Sequence, residues 1–368
     1  MHNSIKVLHI VSNLSIKSGV ASVIISYFRN INSELVNSSI LYFDDVEGET
    51  YIDELKNHGV KLYYINRNHF YKEWKKFCST HNKQFDILHN HQSFLTPLFI
   101  SAKRKLGVKI ILTHAHATKF SESFIKSLRN RLLSFPSRFI SDKLLACSKE
   151  AGYAIFGTAF QRKSFIVKNA IDLRKFTVNL EVRNKLRKSM MLENKYVIGH
   201  VGNMTPVKNH KFILSVFSSL LKINKNAFLV LIGGGYLREK IEKEILELGL
   251  GESVILLGVV NNVHEYLNAF DVFLYPSLFE GLGIAIIEAQ ACGIPCVYSD
   301  QVPSETNILY ESNVRLSLRE SPEKWATQLN DIKKIDFNPV SRIQDAGYDI
   351  MEASKLLTDF YYNFFDSI

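Results

Sequence analysis

The chain of 368 residues has the composition of a folded globular protein, with 46% hydrophobic and 22% charged residues. These fractions exclude an intrinsically disordered, collagen-like or disulfide-scaffold protein, and the length favours two domains of ordinary size. The 45 basic and 36 acidic side chains give a net charge of +9, and the first 180 residues hold 26 of the basic residues against 13 acidic ones. The first half is therefore expected to meet an anionic partner, although surplus lysine also serves solubility.

Cysteine content and hydropathy bear on the cellular compartment. The four cysteines are too few and too scattered to stabilise so long a chain, which favours a reducing compartment: Cys78, Cys147, Cys292 and Cys296. The apolar N-terminal run is too short for a signal peptide, and no run approaches the roughly 18 apolar residues of a membrane span. We therefore expect a cytoplasmic protein.

Short apolar runs alternate with longer amphipathic stretches along the first half of the chain. The runs that predict strands are residues 5–11, 39–43, 61–65, 87–89, 109–113 and 143–147. Strands separated by helices are typical of a parallel sheet built from βαβ units. After the first strand, Gly19 lies in a turn that leads into a helix, whose N-terminus could meet an anion.

The same alternation restarts in the second half of the chain. The predicted strands there are residues 196–201, 227–232, 254–257, 272–275 and 296–299. Residues 165–176 lie between the two series and are a candidate linker. After Pro339 the chain ends in an aromatic-rich helical pattern, which we expect to pack on the body of the protein. The sequence therefore predicts an α/β fold with two parallel sheets.

Residues 276–295 combine a glycine turn with two acidic residues. The segment follows a predicted strand, turns at residues 280–283 and becomes helical from about residue 284. Gly281 and Gly283 leave backbone N–H groups at a helix start, where a phosphate fits. Glu280 and Glu288 flank this position, and carboxylates suit the hydroxyls of a ribose or a sugar better than a phosphate. Alternatively, Glu280 caps the helix and Glu288 is a solvated helix residue.

A second glycine turn follows the strand at 196–201 and contains Gly202, Asn203 and Lys208. A lysine here can reach a diphosphate as a flexible point charge, although a lysine at a helix start is more often a surface residue. A third turn, at residues 233–235, lacks the G-x-G-x-x-G spacing of a dinucleotide site. We interpret it as a turn near the ligand.

Two pairs of histidines follow neighbouring strands of the first predicted sheet: His89 with His91, and His114 with His116. The carboxyl ends of parallel strands border the ligand crevice of α/β folds, so these pairs favour a polar functional site over structural histidines. No carboxylate lies nearby in the sequence to complete a metal site. The sequence also lacks the D-x-D, H-E-x-x-H, G-x-S-x-G and P-loop motifs, which weighs against those classes of enzyme.

The spacing of Glu280 and Glu288 resembles the E-x7-E signature of retaining GT-B glycosyltransferases of family 4, the glycosyl transferases of group 1. Four segments fall where that family has its motifs: residues 146–148, 169–172, 202–209 and 276–295. Within the family, the segment His114-Ala-His116-Ala-Thr and residues 146–157 are most similar to bacterial exopolysaccharide and capsule glycosyltransferases.

For the second half of the chain, the resemblance implies how a nucleotide sugar is bound. Glu288 would hold the ribose, and Glu280 would lie beside the donor sugar and act in catalysis. The backbone amides around Leu282 and Gly283, together with Lys208, would stabilise the leaving diphosphate. Stabilisation by fixed donors and a cation is expected to dominate where no metal takes part.

For the first half, the resemblance places His114 near the reacting sugar, with His116 as its rival for that catalytic role. It places Gly19 in the loop that faces donor and acceptor. Asn203 stands in the donor site where the family usually has arginine, so half of the expected cationic clamp is missing. A catalytically weak nucleotide-sugar or glycan-binding partner of a polysaccharide assembly complex is therefore the alternative function.

The resemblance implies a GT-B fold, in which two Rossmann-like domains face a cleft. Residues 1–172 would bind the acceptor, residues 173–345 the nucleotide sugar, and a helix in residues 346–368 would cross back to the first domain. The implied reaction is retaining transfer of a hexose or N-acetylhexosamine from a nucleotide sugar, expected to be UDP-linked, to a lipid-linked glycan in exopolysaccharide or capsule biosynthesis. No metal, no cofactor and no nucleic-acid partner is expected.

Basic side chains concentrate in residues 101–150, which hold 11 Lys and Arg against 3 acidic residues. Within residues 119–143, apolar residues recur at helical spacing among the basic ones: Phe124, Leu128, Leu132, Phe135 and Phe139. Such a segment can lie on an anionic membrane surface, which suits a lipid-linked acceptor and a location on the inner face of the cell membrane. Its apolar stripe can equally face the domain core, and the period alone does not separate the two.

Overall fold

A computed structural model describes residues 4–16, 18–46, 48–120 and 123–367. The chain divides into two compact units, the first formed by Met1–Ala170 together with Asp349–Ile368 and the second by Ile171–Tyr348. Each unit is built around one parallel β-sheet. Among the helices of the described residues, none is long and apolar enough to cross a membrane.

The first unit contains a seven-stranded sheet with the order β3-β2-β1-β4-β5-β6-β7. Its strands are β1 (Ile5–Val11), β2 (Val36–Tyr42), β3 (Lys61–Tyr64), β4 (Ile87–Asn90), β5 (Ile110–Ala115), β6 (Lys143–Ala146) and β7 (Ser164–Ile166). The helices are α1 (Gly19–Phe28), α2 (Ile52–Asn57), α3 (Phe70–Thr80), α4 (Ala102–Lys105), α5 (Phe124–Ser134), α6 (Ser137–Ile140), α7 (Lys149–Phe156) and α8 (Ala159–Lys163). Residues 165 and 166 belong to β7, so the interpretation of residues 165–176 as a linker is wrong for these two residues.

The second unit contains a six-stranded sheet with the order β10-β9-β8-β11-β12-β13. Its strands are β8 (Tyr196–Val201), β9 (Ala227–Ile232), β10 (Val254–Gly258), β11 (Val272–Tyr275), β12 (Cys296–Ser299) and β13 (Val314–Leu316). The helices are α9 (Leu180–Ser189), α10 (His210–Ile223), α11 (Arg238–Glu247), α12 (Val263–Asn268), α13 (Ile284–Ala291), α14 (Pro322–Asp331) and α15 (Val340–Asp345). Both sheets have the doubly wound Rossmann order, which confirms the predicted fold class.

The last helix, α16 (Ile350–Asp366), packs within the first unit. Asp349 caps its start, with the side chain accepting a hydrogen bond from the backbone N–H of Met351 at 3.0 Å. Farther along, the ring of Phe360 stacks on Phe165 of β7 with centroids 4.0 Å apart. The predicted aromatic-rich helix that packs on the body is thus confirmed.

Strands β4, β5 and β11 are buried along their whole length. All six residues of β5 and all four of β11 are buried, as expected for parallel sheets covered by helices on both faces. Buried polar side chains on such strands need hydrogen-bond partners. Those that lie at the carboxyl ends of the strands mark the sites described next.

Candidate active site

In the second unit, Lys208, Tyr275 and Glu280 are in mutual contact. The Lys208 ammonium donates a hydrogen bond to Glu280 Oε1 at 2.5 Å and another to the Tyr275 hydroxyl. That hydroxyl lies 3.0 Å from the same Glu280 oxygen, to which it can donate. Only 16% of the Lys208 side chain and 14% of the Glu280 side chain are exposed, so the alternative of a surface lysine is wrong. The alternative that Glu280 is the N-cap of the helix is also wrong, because the N-cap is Gly283.

The charges around Lys208 keep it protonated. Burial by itself lowers the pKa of Lys208, but the neighbouring Tyr275 and Glu280 outweigh burial and raise that pKa above its ordinary value. Burial, and then the charge of Glu280, raise the pKa of Tyr275, which therefore keeps its proton. The site holds a fixed cation whose hydrogen bonds set its position.

Sequence reasoning missed Tyr275. It is the last residue of β11 and stands immediately before Pro276, so its apolar neighbours predict a core aromatic. The only available signal was its place at the carboxyl end of a strand, next to the Glu280 turn. Its hydroxyl is the part of this buried side chain that contacts Lys208 and Glu280.

Gly283 forms the turn that begins α13. Its φ of +91° lies in the left-handed region, and an added Cβ would approach Val302 at 3.0 Å. The N-cap of α13 is Gly283, which has no side chain to cap the helix. A helix N-terminus of this kind favours an anion, and Leu282 is buried beside the turn.

Glu288 lies in the second turn of α13. Burial raises the pKa of its carboxyl from 4.5 to about 7, so the group is both donor and acceptor near neutral pH. Such a carboxyl can hydrogen-bond to neutral hydroxyl groups without placing a full negative charge beside a phosphate. This environment differs from that of a solvated helix glutamate.

Two glycine turns of the second unit pack directly against each other. An added Cβ on Gly233 would lie 2.1 Å from the carbonyl oxygen of Gly202, and one on Gly235 would lie 2.5 Å from that of Met204. Both glycines have positive φ, of 136° and 153°. On the same loop as Gly202, Asn203 is exposed, and its carbonyl accepts a hydrogen bond from the N–H of Thr205.

In the first unit, Gly19 is the first residue of α1. The preceding Ser18 caps the helix, its side chain accepting a hydrogen bond from the N–H of Ala21 at 3.3 Å. An added Cβ on Gly19 would meet no atom of the described residues within 4 Å.

His114 and His116 lie at the carboxyl end of β5, and their rings stack with centroids 4.0 Å apart. Both rings lie within hydrogen-bond distance of the other predicted pair: His114 Nδ1 lies 3.2 Å from His89 Nε2, and His116 Nε2 lies 2.8 Å from His91 Nδ1. Burial lowers the pKa of His116 to about 4 and that of His114 well below its usual range, so both rings are neutral at pH 7.

Sequence reasoning missed two further members of this cluster. His9 is in the middle of β1, where its Nδ1 lies 3.1 Å from His91 Nε2, and Tyr361 of α16 places its hydroxyl 2.6 Å from His89 Nδ1. A lone histidine inside a strand and a tyrosine in a distant helix give no local signal of either contact.

The comparison with known proteins decides the family. The sequence model described as Glycosyl transferases group 1 matches residues 182–348. EpsF of Bacillus subtilis (strain 168), which carries the name of a glycosyltransferase, is 30% identical over 332 residues, covering 87% of this chain and 86% of EpsF. The chain belongs to the group 1 glycosyl transferases.

Two further proteins are similar to this glycosyltransferase over most of their length. The UDP-Gal:alpha-D-GlcNAc-diphosphoundecaprenol alpha-1,3-galactosyltransferase of Escherichia coli is 25% identical over 315 residues, covering 81% of this chain and 80% of that enzyme. Alr3699/HepE of Anabaena, solved in complex with UDP and glucose, superimposes with a TM-score of 0.80 at 16% identity, covering 97% and 99% of the two chains. The second similarity concerns the fold alone, and it confirms the predicted GT-B fold.

Proposed function

We propose that this glycosyltransferase moves a hexose or N-acetylhexosamine from a UDP-linked sugar to a lipid-linked glycan, with retention at the transferred carbon, in exopolysaccharide or capsule biosynthesis. The buried contact of Lys208 with Glu280 and Tyr275 carries the proposal. Lys208 is a fixed cation in the unit that also holds the helix start at Gly283. The relative from Escherichia coli, whose name gives UDP-Gal as donor and a diphosphoundecaprenol-linked acceptor, supports the choice of substrates.

The charge on the leaving diphosphate is met by protein groups. Lys208 supplies a full positive charge, and the N–H groups at the start of α13 supply the positive end of the helix dipole. Fixed donors of this kind stabilise charge that develops as the bond from sugar to phosphate breaks. The proposed reaction is therefore metal-independent and uses no cofactor.

The remaining donor contacts follow the same logic. Glu288, with its pKa of about 7, would bind the ribose hydroxyls, and Glu280 would lie beside the donor sugar. Leu282 and Gly283 would present their amides, and Asn203 would border the phosphates without adding charge. In the proposed step, the acceptor hydroxyl attacks on the face that the diphosphate leaves, and the departing phosphate oxygen accepts its proton.

We assign the acceptor to residues 1–172 and the donor to residues 173–345, with the helix of residues 346–368 returning to the first domain. In the first domain, His114 would contact the reacting sugar, with His116 as its alternative, and Gly19 would face donor and acceptor. The neutral imidazoles supply hydrogen bonds rather than charge. The open space beside Gly19 leaves room for a ligand at the start of α1.

The segment 119–143 is proposed to bind an anionic membrane surface. In the described part of this segment, α5 buries Asn130 and Ser134 and turns its apolar residues outward. Phe124 is 83% exposed, Ile125 80% and Phe139 72%. These exposures argue against a stripe that faces the core, and the neighbouring basic residues favour anionic lipid. The enzyme would therefore work in the cytoplasm, at the inner face of the cell membrane.

A second candidate function is favoured by Asn203, which replaces the arginine of the family pattern and is exposed. A chain with half of the phosphate clamp could bind a nucleotide sugar in an assembly complex with little turnover. UDP binding without transfer from any donor would support this function.

The test is UDP release from UDP-sugars in the presence of membrane-extracted lipid acceptor and EDTA. We expect release by the wild-type chain, and its loss in Lys208→Ala and in Glu280→Ala. Lys211→Ala, which removes an exposed lysine from the first turn of α10, is the matched control and should keep full activity. Undiminished turnover in both site variants would overturn the site, and abolition by EDTA would overturn metal independence.

A further inference from the structure

Five histidines of the first unit gather on one face of its sheet: His9, His89, His91, His114 and His116. The sheet pairs His9 of β1 with His89 of β4. Because side chains alternate along a strand, His91 shares the face of His89, and the pairing of β4 with β5 puts His114 and His116 there too. The cluster therefore follows directly from strand register.

Within this cluster, His91, His114 and His116 each bring one ring nitrogen within 4.8 Å of the other two. His91 Nδ1 and His116 Nε2 are already 2.8 Å apart. His114 uses Nδ1 for its contact with His89, and its Nε2 is buried without a hydrogen-bond partner among the described residues. An unpaired buried nitrogen costs about 1–3 kcal/mol, so this atom is well suited to a ligand.

We propose that His91, His114 and His116 form a binding site for a first-row transition metal ion of the Zn²⁺ and Co²⁺ type. The ligand atoms would be His91 Nδ1, His116 Nε2 and His114 Nε2. Three imidazoles and one water form a common tetrahedral zinc site, which requires no carboxylate. The expectation of no metal rested on the missing carboxylate beside these histidines, on the missing D-x-D motif and on the family resemblance, and three imidazoles meet the first of these objections. With an ion bound, both nitrogens of His114 are occupied, so the sugar contact of the proposed transfer would fall to its alternative, His116, through Nδ1. The ion would take no part in the transfer itself.

Neighbouring groups hold two of these rings in the required tautomer. His91 can donate from Nε2 to His9 Nδ1 at 3.1 Å, and His114 can donate from Nδ1 to His89 Nε2 at 3.2 Å. His89 in turn contacts the Tyr361 hydroxyl through Nδ1. Metal-bound histidines nearly always donate their second nitrogen in this way. Since the contacts of His89 occupy both of its nitrogens, it is a supporting residue and not a ligand.

The test is a titration of the tag-free, metal-free full-length chain with Co²⁺, without any sugar nucleotide. We expect one Co²⁺ per chain to survive gel filtration and to show the intense visible absorption of tetrahedral Co²⁺. No retained Co²⁺ in the wild-type chain would overturn the proposal, whatever the variants do. Because no donor or acceptor is present, this outcome is independent of whether the chain transfers sugar.

Three variants locate the site. His9→Gln removes a supporting partner and should weaken Co²⁺ binding by ~10–100-fold. His116→Gln removes a ligand and should weaken Co²⁺ binding by more than that. His58→Gln, on an exposed histidine of the same unit, is the control and should bind as wild type. Circular dichroism checks that each variant is folded. Wild-type affinity in folded His116→Gln would overturn the assignment of ligands.

Discussion

At the scale of single residues, the proposed donor site depends on charges held out of water. Lys208 keeps its proton in a buried position only because Glu280 and Tyr275 face it. In the proposed reaction, the ammonium that meets the diphosphate already points at a fixed place, so little reorganisation is needed as charge develops on the leaving group. Tyr275 touches this cation without touching the reacting atoms in the proposed reaction, which makes it a positioning residue.

Removal of the Tyr275 hydroxyl tests this role. Hydrogen bonds to charged groups are worth about 1.5–3 kcal/mol, so we expect Tyr275→Phe to lower kcat/KM for UDP-sugar by roughly tenfold or more. Tyr298 of β12 pairs with Tyr275 in the sheet, and its hydroxyl takes no part in the hydrogen bonds among Lys208, Tyr275 and Glu280, so Tyr298→Phe is the matched control. Equal kinetics in the two variants would contradict the positioning role.

Glu288 predicts a dependence of stability on pH. Its carboxyl has a pKa of about 7 in the fold and 4.5 when unfolded, so between these pH values the folded state binds the extra proton. The stability that the protonated carboxyl contributes is fully present below pH 4.5 and is lost as pH rises through 7, by roughly 3 kcal/mol in total. Glu288→Gln has no carboxyl to ionise, so its stability should not fall in this way as pH rises.

The measurement is the free energy of unfolding of the wild-type chain and of Glu288→Gln by urea, at pH 5 and at pH 8. The variant should gain stability relative to wild type between the two pH values. Glu193→Gln provides a control at an exposed glutamate of the same unit. A constant difference between wild type and Glu288→Gln at the two pH values would show that the carboxyl is not held protonated by burial.

At the scale of elements, α5 inverts the usual pattern of a surface helix. Its buried residues are polar, with Asn130 donating to the carbonyl of Phe120 at 3.0 Å and the Ser134 hydroxyl 2.9 Å from that of Ser93. Its apolar residues point to solvent instead. A helix anchored by its polar side and apolar outside is expected to meet a nonpolar surface.

We expect Lys126→Gln/Arg129→Gln/Arg131→Gln to weaken binding to vesicles rich in anionic lipid. Each basic residue near such a surface contributes about 1 kcal/mol, so the triple variant should lose roughly a hundredfold in affinity. Lys72→Gln/Lys75→Gln/Lys76→Gln removes three exposed charges from α3 as a matched control. Vesicle sedimentation at increasing salt measures both. An equal loss of vesicle affinity in the two triple variants would show that net charge alone, and not the basic residues of α5, drives binding.

At the scale of the whole molecule, much of the fold was predictable from the sequence. Strands such as β1, β8 and β9 are continuous apolar runs between helical patterns, and the Glu280 to Glu288 segment carries its own turn and helix signals. β7 and β13, each three residues long, escaped prediction because so short a strand has no periodicity of its own.

The site was predictable only where its chemistry is local in the sequence. Lys208 and Glu280 each stand in a recognisable turn, but Tyr275 looks like a core residue until β8 and β11 pair. His9 and Tyr361 join the histidine cluster through contacts that span 82 and 272 residues. The sequence showed that basic residues concentrate in residues 101–150. Only the structure shows that the apolar residues of α5 face solvent.

A donor screen shows whether the chain transfers a sugar from a nucleotide to a lipid. The wild-type chain is incubated in EDTA with lipid extracted from membranes and with individual UDP-sugars and GDP-sugars, and mass spectrometry measures the masses of the lipid products. With a UDP-sugar we expect a lipid-linked product heavier by one hexose or N-acetylhexosamine. This product should be absent with Lys208→Ala and present with Lys211→Ala. UDP binding without any heavier lipid product across the whole panel would contradict the proposed transfer.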